Sequence, residues 1–434
     1  MGEAQRDARL LWELDVDGVG GQMVVADVNG DGKQEFLLRQ SPGQLKSDLY
    51  IERGWNTDEE RRLFCITAID QEGNQLWQVG EPHRGADPYC AHGGNDFLTA
   101  DVDGDGKAEV VSIVWDVLTV FDGETGEVQA EKKLPADNFS QVKAGNLKGD
   151  PTRQQLVVKV NDGAYPPYEY GNPTYVLDSD LSELWMTPHY HGAGHAPVLI
   201  DVDGDGCDEM LIGYNLVDSD GTLLWSIPVE NATKEHADNI NPVDLNGDGE
   251  IEIAYSGSKD FFVANTQGEV IWRRPHEHSQ NTTVGRFRSD IDGQTMILNE
   301  KWIGMTCYTP DGQALWQKSG VGYAQHTVRG WRDDGLDLVI YAPALKKQQE
   351  DVPYDSEPED THLYWPFLMD GDGNRVMEFP FREDFKQPKQ RIRGFRAYDY
   401  GIGYGAMVLD LDGDGRDEVL IYDRQKILAF GVPA

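Results

Sequence analysis

The sequence predicts an all-β chain closed into a single eight-bladed β-propeller, and three observations carry that expectation. An acidic nine-residue segment recurs five times, each copy lies between two apolar runs, and a turn followed by tryptophan recurs further along most of the repeats. The acidic copies are DVNGDGKQE from Asp27, DVDGDGKAE from Asp101, DVDGDGCDE from Asp201, DLNGDGEIE from Asp244 and DLDGDGRDE from Asp410. An apolar run, a tight glycine turn and a second apolar run read as strand, loop, strand. The turn signature (EGNQLW, SELW, DGTLLW, QGEVIW, PDGQALW) puts Trp77, Trp185, Trp225, Trp272 and Trp316 on the last strand of their repeats. Weaker copies, QVKAGNLKGDPTRQQLVVKV, TTVGRFRSDIDGQTMIL and HTVRGWRDDGLDLVIYA, fill the gaps. A repeat of roughly 40–50 residues with four short strands, A to D, is the size of a propeller blade.

The chain ends predict how the ring closes. RLLWEL, with Trp12, reads as a D strand without A to C, and MVLDLDGDGRDEVLIYDRQKILAF reads as A to C without a D. Joined, they make the eighth blade and remove the exposed sheet edge; seven blades is the alternative count. An open solenoid would need polar capping repeats, and none is visible. Residues 1–434 form one domain in this reading, with insertions at about 39–62 and 344–363 and a loop at 382–404 on one face.

Composition bounds the function. The formal net charge of -38 argues against nucleic acid and against anionic membrane surfaces, which both need clustered Lys and Arg. An aromatic content of 10% supports a packed core over disorder. Cys65, Cys90, Cys207 and Cys307 are widely spaced with no CxxC pair, which argues against a zinc site or redox motif. No apolar run is long enough to span a bilayer, and MGEAQRDARLLWELDVDG has no leader-like core. The expectation is a cytoplasmic monomer, or a secreted one whose leader has been removed.

The acidic segments predict Ca²⁺ sites. DxDGDGxxE places oxygen donors at positions 1, 3, 5 and 9 around a sharp glycine turn, and hard oxygen donors suit Ca²⁺. The expected ligands are Asp27, Asn29, Asp31 and Glu35; Asp101, Asp103, Asp105 and Glu109; Asp201, Asp203, Asp205 and Glu209; Asp244, Asn246, Asp248 and Glu252; and Asp410, Asp412, Asp414 and Glu418. Five equivalent loops cannot all be one active centre, so their expected role is to pin the A–B turn of each blade.

Sorting the ten histidines by connection puts all of them on the face opposite those loops. Two copies of EHxxN, Glu235-His236-x-x-Asn239 and Glu277-His278-x-x-Asn281, fall in register on consecutive repeats, each histidine eight residues before the aligned position (Asp244, Arg286). Either these residues cap the strand entry and bond to backbone, or neighbouring blades present matched His/Asn pairs to one ligand near the axis. Arg286, Arg288, Lys301, Trp302 and Arg329 are assigned to the same face, as is FREDFKQPKQRIRGFRAYDYGIGYG with Arg393, Arg396, Tyr398 and Tyr400. Arginine forks bind carboxylates and aromatic faces suit sugars.

The DxDGDGxxE and GxxxW repeats, above all HADNINPVDLNGDGEIEIAYSG and GEVIWRR…TTVGRFR, resemble the FG-GAP-like propellers of polysaccharide lyases. The similarity is to the eight-bladed rhamnogalacturonan lyases of family eleven, then to ulvan lyases and rhamnose–glucuronate lyases. What it implies is β-elimination at a uronic acid in a rhamnose-containing, anionic glycan. That chemistry needs a group to offset the carboxylate, a base for the adjacent proton and an acid for the leaving oxygen. For that chemistry the histidines of this face offer His236 or His278 as base, with His195 and His92 as rivals. Asn239, Asn281 and Arg286 would hold the carboxylate, and Tyr323, or a tyrosine among Tyr398, Tyr400 and Tyr404, would be the acid. His191, His326, Arg288, Lys301, Trp302, Arg329, Arg393, Arg396, Tyr398 and Tyr400 complete the expected substrate face. Two other classes stay open: a non-catalytic glycan- or protein-binding propeller, and a glycoside hydrolase, which wants two carboxylates flanking the bond.

Overall fold

The computed structural model describes residues 6–40, 64–82, 96–160, 167–168, 171–229, 235–300, 303–319, 322–343, 366–379, 405–422 and 425–433. These residues form eight antiparallel sheets in sequence order, the blades of one propeller. Strands A of successive blades touch one another, as in blades 5, 6, 7 and 8, so strand A is innermost in each blade. Strand Arg9–Asp15 pairs antiparallel with Lys426–Gly431 and completes the eighth blade, as its sequence predicts. One further pair lay below the resolution of sequence reasoning: Arg6–Asp7 adds to blade 7 in parallel against Arg375–Glu378.

The core lies between blades. Strand B is buried along its whole length in Glu35–Gln40, Gln155–Val160 and Glu252–Gly257, because both faces of an inner strand pack on neighbouring sheets. One cluster joins Val28, Leu37, Ile66 and Trp77 to Phe97, Val110 and Phe121, spanning blades 1 and 2. Another joins Val16 and Phe36 to Leu420 and Ile427 across the closure.

The tryptophan signature is an inter-blade latch. Trp77, Trp185, Trp225, Trp272 and Trp316 each donate the indole N–H to a carbonyl in the C–D turn of the next blade: Gly123, Ser219, Thr266, Pro310 and Gly371, at 2.7–3.0 Å. The glycine of that turn explains itself at Gly312: φ is +78°, and a Cβ there would stand 2.6 Å from the Trp272 ring. The repeat GxxxW therefore records a contact between consecutive blades, one partner in each.

A buried aspartate beneath three histidines

Strand A of blade 5 (Ala237–Val243) and strand A of blade 6 (Ser279–Gly285) carry the two EHxxN segments at their entries, on the face opposite the acidic loops. Asp238, the second residue of the first of these strands, has a side chain 1% exposed. Three imidazoles converge on it. His195 Nε2 is 3.3 Å and His236 Nε2 3.6 Å from Oδ1, and His278 Nε2 is 3.6 Å from Oδ2. Gln280 Nε2 donates to Oδ1 at 2.8 Å. Burial pushes the Asp238 carboxyl upward, but the surrounding His195, His236 and His278 outweigh it and hold the group well below the usual carboxylate range.

Two of the rings, His236 and His195, have supports of their own. His236 Nδ1 meets the Ser258 hydroxyl at 2.9 Å, and the His236 carbonyl accepts from Tyr214 Oη at 2.9 Å and Ser258 N at 3.1 Å. The rings of His195 and His236 meet edge to face, with centroids 5.2 Å apart. His195 arrives from the connection between blades 3 and 4, through the turn His191-Gly-Ala-Gly-His195. Gly194 makes that approach possible: φ is +55°, and a Cβ would stand 2.3 Å from the Ala237 carbonyl. The His195 N–H then donates to that carbonyl at 3.3 Å.

Lys159, in strand B of blade 3 (Gln155–Val160), secures the turn from beneath. Its ammonium is fully buried and donates to the carbonyls of Val160, Gly194 and His195 at 2.7–2.8 Å, one per proton. Lys159→Met keeps the length and removes all three bonds. The expected result is a drop of several degrees in melting temperature and at least tenfold lower activity. Each buried carbonyl left bare costs about 1–3 kcal/mol, and His195 loses its seat. Unchanged melting and activity would show that the turn holds itself.

The structure sorts the residues expected from sequence. His195, His236 and His278 come together. Asn239 and Asn281 are engaged within the fold: Asn239 Oδ1 accepts from Thr282 N at 3.1 Å across the blades, and Asn281 Oδ1 from Asn299 Nδ2 at 2.8 Å. The His191 carbonyl accepts from Asn215 Nδ2 at 2.8 Å in the turn that leads to His195. His276 is turned aside, with Nδ1 3.1 Å from Glu300 and Nε2 2.9 Å from Tyr308 Oη, in a groove of its own. Tyr323 is the second residue of strand A in blade 7, Gly322–Val328. His326 lies inside that strand, not before it, because the strand starts four residues earlier than the repeat suggested.

Arg286, Arg288 and Arg329 require correction. They follow the A strands of blades 6 and 7 and so sit on the acidic-loop face, a strand length of ~20 Å from the histidines. Arg286 N donates to Asp337 and Arg329 N to Asp417, while the Arg288 guanidinium binds Asp290 and Asp372. His92, Lys301, Trp302, Arg393, Arg396, Tyr398, Tyr400 and Tyr404 lie outside the described residues, as do His83, His362 and nearly all of the three insertions.

Sequence reasoning gave Asp238 no part in the lyase site and missed Gln280, Ser258 and Lys159. The signal for the first was present. Asp238 and Gln280 occupy the same place in the two EHxxN copies, and attention to the shared letters hid the unshared one.

The acidic loops share one construction. In the second, Asp101 accepts from Gly104 N at 2.7 Å and Gly106 N at 3.0 Å, and Glu109 from Val102 N at 2.7 Å. The corresponding bonds recur at Asp27, Asp201, Asp244 and Asp410. Carboxylate oxygens gather in Asp101/Asp103/Glu109, Asp201/Asp203/Glu209 and Asp410/Asp412/Glu418. Glu109 is pushed up to about 7, by burial first and then by Asp103 and Asp101, against the opposing pull of its backbone hydrogen bonds. Glu35, Glu209, Glu252 and Glu418 are raised by burial in the same way.

Comparison with known proteins places this geometry. Residues 171–339 match the model of the rhamnogalacturonan lyase family 11 C-terminal domain. That segment contains His195, His236, Asp238 and His278. The chain is 27% identical over 272 residues to the rhamnogalacturonan endolyase YesW of Bacillus subtilis, covering 50% of this chain and 41% of the relative. It is 28% identical over 272 residues to the exolyase YesX of the same organism, covering 50% and 42%. The chain thus spans less than half the length of these relatives. The crystal structure of YesX superposes with a TM-score of 0.59 at 17% identity, over 99% of this chain and 75% of that one. The fold it shares is the propeller. Over that propeller the chain is similar to the rhamnogalacturonan lyases of family 11.

Proposed function

We propose that this chain is a polysaccharide lyase that cleaves a rhamnose- and uronate-containing glycan of the rhamnogalacturonan type by β-elimination. The observation that carries the reading is the convergence of His195, His236 and His278 on ionised, buried Asp238, inside the segment that matches the family model. Elimination removes the proton from C5 of the uronate, forms the C4–C5 double bond and breaks the bond from C4 to the leaving oxygen, which takes up a proton. His278, the most exposed of the three rings at 32%, is assigned as proton acceptor. Asp238 orients the rings and offsets the positive charge that a histidine gains. A hydrolase would need two carboxylates free to work on either side of the bond; Asp238 is enclosed by imidazoles and does not fit that role.

In the same proposal the acidic loops bind Ca²⁺ as structural pins. The residues fit: hard oxygen donors lie together, and a buried glutamate is crowded by aspartates whose charge a divalent cation would neutralise.

The test is incubation with rhamnogalacturonan, ulvan and gum arabic, following the ultraviolet absorbance of the unsaturated uronate. Rising absorbance on rhamnogalacturonan is expected. Reducing ends without absorbance would replace the lyase with a hydrolase, and no product on any substrate would leave a binding module.

A further inference from the structure

Resting on the lyase reading for the identity of the glycan, we infer that the groove between blades 5 and 6 is a subsite for a neutral deoxyhexose residue of the rhamnose kind. The groove holds about 710 Å³, a size at which clefts take small ligands. One wall is the connection Pro275-His276-Glu277, where the chain leaves strand D of blade 5 (Val270–Pro275). The other is strand C (Gly304–Tyr308) and strand D (Ala314–Ser319) of blade 6, with Glu300 at the end of strand B.

Its floor is a hydrogen-bonded array built in advance of any ligand. The side chains of His276 and Glu300 are each 8% exposed, and Tyr308 is 5% exposed. Glu300 Oε2 stands 3.1 Å from His276 Nδ1, and Oε1 accepts from Glu277 N at 2.7 Å. A carboxylate at Nδ1 selects the tautomer with its proton there, so Nε2 accepts from the Tyr308 hydroxyl at 2.9 Å. The Tyr308 oxygen then keeps lone pairs for an incoming donor, such as a sugar hydroxyl. Burial, and then Glu300, push the phenol upward, so it keeps its proton. Trp272 stacks on the tyrosine ring with centroids 6.0 Å apart and fixes its place.

The lining decides the class of ligand. Among the described residues of the groove there are two carboxylates, Glu277 and Glu300, and no lysine or arginine. Carboxylates accept strongly from sugar hydroxyls and repel a uronate. Pro275, Ala314 and Leu315 supply apolar wall, which suits the methyl end of a deoxy sugar. Position adds a register. Glu277 borders the groove, and the next residue is His278 of the cluster, one Cα step of ~3.8 Å away. One glycan chain can set its neutral residue in the groove and present its uronate to the imidazoles. A chain shifted by one residue would bring a carboxylate against Glu277.

Binding and cleavage can be read separately. Full-length protein is titrated with L-rhamnose by ligand-observed NMR, with D-galacturonate as competitor. Saturable rhamnose binding is expected, and Ala314→Phe should abolish it by filling the groove from an exposed position. The same variant should keep its melting temperature and raise KM for rhamnogalacturonan roughly tenfold with kcat unchanged, the mark of lost uniform binding. Galacturonate should not displace rhamnose from the parent and should displace it from Glu277→Lys. No rhamnose binding, equal binding by Ala314→Phe, an unmoved KM in that variant, or displacement by galacturonate from the parent would overturn the subsite; normal formation of unsaturated product would then leave the lyase reading standing. Rhamnose bound by the parent and lost in Ala314→Phe, in a protein that forms no unsaturated product, would overturn the lyase reading and keep the subsite.

Discussion

Asp238→Asn is expected to lower the rate of unsaturated-product formation by at least two orders of magnitude in a protein that still folds. The substitution keeps shape and removes charge. The carboxylate faces three imidazoles and stays ionised because their hydrogen bonds and charge outweigh its burial. An amide in its place has no charge to offset a protonated ring. It also has only one oxygen where the carboxylate has two, so one of its ends would present N–H to a ring nitrogen. General acid–base contributions are typically 10²–10⁴-fold, and a histidine that loses its orienting carboxylate loses most of that. The measurement is initial rate on rhamnogalacturonan together with a melting curve. A folded variant with the rate of the parent would remove the histidine cluster from the chemistry.

The second large effect concerns the acidic loops. In chelated protein, the melting temperature is expected to fall as pH rises from about 4.5 to about 7, and added Ca²⁺ should restore it. Glu109 ordinarily titrates at 4.5 and is raised to about 7 in the folded chain, chiefly by burial. Between those values the folded state binds more protons than the unfolded one, so stability is lost as pH rises. Glu35, Glu209, Glu252 and Glu418 are raised too and act in the same direction. A cation that neutralises each cage removes the penalty, and each site filled to 100 times its dissociation constant adds about 2.7 kcal/mol. The check is a series of melting curves in EGTA and in Ca²⁺ from pH 4.5 to 8. A chelated protein whose melting point rises with pH would show that the loops stand without metal.

Much of the architecture was legible because propeller repeats are local. A strand, a turn and the next strand are read within one blade, so the acidic loops, the tryptophans and the split eighth blade could all be placed from letters in order. The site was half legible. His195, His236 and His278 could be assigned to one face by which connection they occupy. Arg286, Arg288 and Arg329 could not be separated from them by proximity in sequence. A strand of seven residues crosses the whole ring, so residues just before it and just after it belong to opposite faces. The asparagines of EHxxN proved to be joints of the fold, bonding Thr282 and Asn299.

The sequence by itself determined the propeller, the manner of closure and the face on which the histidines gather, since these follow from the order and period of short segments; the structure settled the count at eight blades. Only the tertiary structure decided which letter matters inside EHADN. Asp238 becomes a centre because His195 arrives from a glycine turn between blades 3 and 4, Lys159 holds that turn, and blade 6 contributes His278 and Gln280. Those partners are up to 121 positions apart, Lys159 to Gln280. Charge, burial and distance between such residues exist only once the ring has closed.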